Sequence, residues 1–82
     1  STQKYAVHIG LVSNGKDLDA LLSKLRAAGV EPQLKTVVVK GVSKTRVRLG
    51  LFDSQAATAA AAEKAKGAAK NPVVIPIKPS NN

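Results

Sequence analysis

The chain has 82 residues, of which 44% are apolar and 22% charged; this allows one domain with one modest core and excludes both a second domain within these residues and a disordered segment. It contains no cysteine and one histidine, His8, which excludes a disulfide framework, a thiolate metal site and a histidine metal cluster. With 13 Lys and Arg against 5 Asp and Glu, the formal net charge is +8 and the pI is near 10.2. That surplus suits a polyanionic partner without choosing between nucleic acid, anionic lipid and acidic wall polymer.

Residues 1–3 read as a short extension. Tyr5, Val7 and Ile9 then alternate with Lys4, Ala6, His8 and Gly10, the pattern of a half-buried strand that ends at the glycine. Ser13-Asn14-Gly15 punctuates, and Leu18, Leu21, Leu22 and Leu25 recur at helical spacing as far as Ala27-Ala28-Gly29. Asp17 and Asp19 in the first turn and Lys24 and Arg26 near the end suit the helix macrodipole. Residues 34–40 are β-branched and apolar, Lys40-Gly41-Val42-Ser43 can turn, and a strand resumes near Lys44 or Thr45 to close a hairpin. In this strand Val47 and Leu49 face inward, and Arg46, Arg48 and Gly50 face outward. Ser54 is a candidate N-cap for an alanine-rich helix over 56–69, which must lie close to the sheet and stabilises the fold less than the leucine helix, since alanine buries little area. Asn71-Pro72 breaks that helix, 73–77 reads as an edge strand tolerant of Pro76, and 79–82 is expected to be a disordered tail.

The stretch His8-Ile9-Gly10-Leu11-Val12-Ser13 returns as Arg48-Leu49-Gly50-Leu51-Phe52-Asp53, each copy followed by a turn and a helix. Two similar β-α-β halves predict an α+β fold of the split βαβ, ferredoxin-like type, βαββαβ, over residues 4–78. Right-handed crossovers put both helices on one face of a four-stranded antiparallel sheet, with the first and third strands central.

The other face then carries Ala6, His8 and Gly10 beside Arg46, Arg48 and Gly50, a basic and nearly flat platform for a polar partner. Gly10 and Gly50 sit at matching positions and are read as structural, permitting a bulge or a close backbone approach. Nothing in the sequence builds a nucleophile with its base or paired acids in one cleft, and Ser13-Asn14-Gly15-Lys16 lacks the remaining elements of a phosphate-binding loop. No apolar run approaches the roughly 18 residues of a membrane span, and no signal peptide opens the chain. A soluble domain of a larger protein, with any signal or anchor outside these residues, is the expectation.

The order Tyr5, Val7-His8-Ile9-Gly10, Gly29, Gly41, Arg46-Val47-Arg48-Leu49-Gly50 and Phe52 resembles that of SPOR domains and covers essentially the whole chain. Asn71-Pro72 before the last strand is similar to some members found in cell-division proteins. The resemblance implies non-catalytic binding, without a cofactor, of peptidoglycan glycan strands lacking stem peptides. It also implies a periplasmic or cell-envelope location and envelope or divisome proteins as further partners.

The family's Gln, Gly and Ser in the first strand correspond here to His8, Gly10 and Leu11, and positions where some members stack aromatics on sugars fall near Lys44 and Val73. Hydrogen bonding by His8, Arg46 and Arg48, with Leu11 and Val73 as apolar contacts, then takes the place of stacking. Two other readings stay open: a protein-interaction module that keeps the fold without glycan affinity, and an RNP-like nucleic-acid binder. The second would use the same face but normally requires sheet aromatics, and Tyr5 points inward by alternation.

Overall fold

The computed structural model describes residues 3–78. Of the two expected ends, 1–3 and 79–82, only Gln3 lies within the described residues; its side-chain amide donates to the carbonyls of Lys4 and Ile77, at 2.8 and 2.9 Å. In chain order the elements are β1 (Lys4–Ser13), α1 (Lys16–Ala27), β2 (Gln33–Val39), β3 (Val42–Phe52), α2 (Gln55–Ala65) and β4 (Val73–Ile77). The strands form one antiparallel sheet in the order β2-β3-β1-β4. This is the split βαβ arrangement, with β1 and β3 central and Pro76 on the edge strand β4, where its missing N–H breaks no central ladder.

The β2–β3 hairpin is tighter than its sequence suggests. Lys40 and Gly41 both take positive φ, 51° and 80°, as a two-residue turn matched to the right-handed strand twist requires. Val39 therefore pairs with Val42, and β3 begins two residues before Lys44.

Val7 of β1 pairs with Leu49 of β3, so both project to the same side. There they meet Val47, Leu25 of α1, and Ala62 and Ala65 of α2 in one buried cluster. Leu18, Leu21, Phe52 and Val74 pack around it. Both helices thus cover the same face.

Leucine spacing places α1, but its four leucines are not equivalent. Leu25 is fully buried, Leu18 and Leu21 are partly buried against the core, and half-buried Leu22 does not join that cluster. The helix closes in a Schellman motif: the Gly29 N–H bonds Arg26 O and the Val30 N–H bonds Leu25 O, with Gly29 at φ 86°. In α2, Ser54 Oγ accepts from the Ala57 N–H at 3.1 Å, a side-chain N-cap. Fully buried Thr58 donates its hydroxyl to the Ser54 carbonyl at 2.6 Å. The helix ends at Ala65, short of the expected residue 69, and continues only as a turn; Gly67 follows, the poorest helix former after proline.

Two bulges reset the alternation of the central strands. His8 pairs with Arg48, but Gly10 pairs with Val47, so Ile9 is the inserted residue. Ile9 packs against the core, Gly10 follows on the helix side, and Leu11, paired with Arg46, crosses to the open face. Simple alternation had put Gly10 there. The second bulge inserts Leu51, because Ala6 pairs with Gly50 and Tyr5 with Phe52. Both glycines are therefore inside the strands at bulges, and neither ends a strand.

Candidate ligand-binding face

Strand alternation decides which side chains share the open face. In β3, Thr45, Val47 and Leu49 are buried on the helix side, so Lys44, Arg46 and Arg48 project the other way. Register then carries the assignment across the sheet. Arg48 lies beside His8 of β1 and Gln33 of β2, Arg46 beside Leu11 and Lys35, and His8 beside Val73 of β4. The six residues singled out in the sequence, His8, Leu11, Lys44, Arg46, Arg48 and Val73, are thereby brought to one surface. Neighbouring strands lie about 4.8 Å apart and alternate residues about 6.7 Å apart.

Among the residues of this face that escaped sequence reasoning are Gln33 and Lys35 of β2. The signal was present: once Lys40-Gly41 is read as a two-residue turn, Lys35 must oppose Arg46 and Gln33 must oppose Arg48. Ile75 and Ile77 of β4 extend the face beyond Ala6 and Lys4.

The floor of the face is lowest where the two smallest residues oppose each other. Ala6 and Gly50 lie at the base of a cleft of about 160 Å³, walled by Arg46, Arg48, Gln33 and Ile77. Position 50 favours glycine. Its φ is +133°, and a Cβ there would stand 3.2 Å from the Tyr5 carbonyl oxygen and 3.3 Å from Ala6 Cα and Cβ. Gly10 has no such constraint, because nothing would lie within 4 Å of its Cβ.

Four cations of this face are uncompensated. The acids with ion-pair partners are Asp53 with Lys4, Glu31 with Arg26 at 3.7 Å, and Glu63 with Lys66 at 2.8 Å. Asp17 and Asp19 lie in the first turn of α1. Among the described residues, Lys35, Lys44, Arg46 and Arg48 therefore have no carboxylate within ion-pair distance. Arg48 Nε is buried and unpartnered. Burial first, and the neighbouring Arg46 charge second, lower the pKa of the Arg48 guanidinium from its ordinary value; arginine nevertheless remains charged at neutral pH.

A larger groove, about 450 Å³, lies on the helix side between residues 29–31, the end of β3 and the Ala57, Ala60 and Ala61 face of α2. Its charged residues, Glu31 and Lys64, are of opposite sign, and it brings no set of like donors together. Among the described residues, no helix is long and apolar enough to cross a membrane.

A family model, the SPOR domain, matches residues 1–76. The SPOR domain of RlpA from Pseudomonas aeruginosa superposes with a TM-score of 0.71 at 19% identity, covering 87% of this chain and 96% of that one. A chain described as an exported protein of Burkholderia pseudomallei superposes with a TM-score of 0.64 at 21% identity, covering 90% of this chain. The present chain spans only 16% of that second protein. Among curated proteins, none matches in sequence. At these identities the structural likenesses establish the fold, whereas the family match extends over nearly the entire sequence: the chain belongs to the SPOR family of peptidoglycan-binding domains.

Proposed function

We propose that the open sheet face binds peptidoglycan glycan strands that have lost their stem peptides, without catalysis, as part of an envelope or cell-division protein on the periplasmic side. The observation that carries this reading is the grouping of unpaired donors with two exposed apolar side chains on one solvent-facing surface. Arg46 and Arg48 supply guanidinium donors, His8 a donor and an acceptor when neutral, and Lys44 a further cation. Leu11 and Val73, 40% and 43% exposed, offer apolar surface to sugar rings. The RNP-like reading loses its support here, since Tyr5 and Phe52 pair with each other on the helix side and leave no aromatic platform for bases.

Co-sedimentation with sacculi tests the proposal. The domain should pellet with amidase-treated sacculi, pellet less with untreated ones, and retain that preference at moderate salt. A folded double variant, His8→Ala with Arg46→Ala, should bind at least about tenfold more weakly, the loss of two hydrogen bonds one of which is charged. Undiminished binding by the variant would refute the assignment. Absence of binding to either material would favour a protein partner, a reading supported by Leu34 and Val38, 47% and 70% exposed on edge strand β2.

A further inference from the structure

Resting on the glycan-binding reading, we infer that the face recognises a carboxylate carried on the sugar itself, the group that stem-peptide removal creates. Hydrolysis of the amide joining the stem peptide to the lactyl ether of the sugar adds water across the C–N bond. The peptide leaves with a free amine, and the lactyl group keeps a carboxylic acid. That acid is ionised at neutral pH, as carboxyl groups of ordinary pKa are. An intact strand has a neutral amide at the same place, and its remaining carboxylates lie farther out along the peptide.

The face is built for an anion rather than for a neutral sugar alone. Lys35, Lys44, Arg46 and Arg48 occupy adjacent positions of β2 and β3, within roughly 13 Å along the strand and one strand spacing across it. Neighbouring like charges raise one another's free energy unless an anion intervenes, yet the chain's acids are paired elsewhere or lie on α1. Arg48 in addition holds a buried Nε with no partner, a donor whose loss of water no protein acceptor offsets. Its fork and that of Arg46 stand two residues apart on one strand, each able to hold a carboxylate in bidentate fashion. Gln33, beside Arg48, can complete the shell around the same group.

The experiment compares amidase-treated sacculi with the same material after its carboxyl groups have been activated by carbodiimide and reduced to alcohols with borohydride. This removes the charge and leaves the sugar chain intact. The expected result is retention on the first material and at least about tenfold weaker retention on the second, the worth of a charge-assisted hydrogen bond. Arg48→Gln, checked for folding by circular dichroism, should bind the two materials about equally. Equal retention of the unaltered domain on both materials would overturn the carboxylate inference and leave glycan binding standing. Retention on neither would overturn both.

Discussion

At the scale of single residues, Gly50 and Gly10 illustrate how far equivalent sequence positions diverge. They match in the internal repeat, yet only Gly50 combines a left-handed φ with neighbours at 3.2 and 3.3 Å. Gly50→Ala should therefore destabilise the domain by about 1–3 kcal/mol, lowering the thermal midpoint by roughly 4–8 °C per kcal/mol in a domain of this size. Gly10→Ala should stay within about 0.5 kcal/mol of the parent. Equal effects in thermal denaturation would mean that the close approach of Gly50 to Ala6 is not what fixes the residue. The outward placement of Arg46 and Arg48 was legible from their alternation with Val47 and Leu49. That of Leu11 was not, because the bulge at Ile9 exists only once β1 pairs with β3.

At the scale of elements, periodicity located both helices and each of the four strands, and the errors fell at boundaries set by local backbone geometry. Alanine continues past Ala65, but the chain does not remain helical through Gly67. The hairpin turns on two residues because Lys40 accepts positive φ beside Gly41, which a reading centred on Gly41 alone spreads over four. Within α1, regular spacing treats Leu22 and Leu25 alike, whereas their burial separates them. Leu25→Ala should cost about 2–5 kcal/mol by cavity formation beneath Val7 and Val47, enough to leave a small domain largely unfolded. Leu22→Ala should cost clearly less. Urea titration of the two variants checks the ranking, and a reversed order would show that α1 is anchored by a different stripe.

For the whole molecule, the fold leaves one sheet face without a layer and places four cations without ion-pair partners side by side on it. The net charge of +8 was plain from composition, but its consequence depends on where the acids lie, and that follows from register and ion pairing. Lys4, Arg26 and Lys66 are neutralised locally; Lys35, Lys44, Arg46 and Arg48 are not. Family membership carries the fold and the general class of ligand, while the contacts proposed for this sequence use His8 and guanidinium groups, its open face having no aromatic side chain. The helix-side groove is larger, but its alanine wall and opposed charges give it no comparable reason to hold a polar polymer.

The central claim, that the open face and not the helix side meets the glycan, is tested most directly by following backbone amide chemical shifts of the isotopically labelled domain as soluble denuded glycan fragments are added. Shifts concentrated at His8, Leu11, Lys35, Arg46, Arg48 and Val73, with α2 unmoved, are the predicted result. Shifts confined to Ala57, Ala60, Ala61 and residues 29–31 would contradict it.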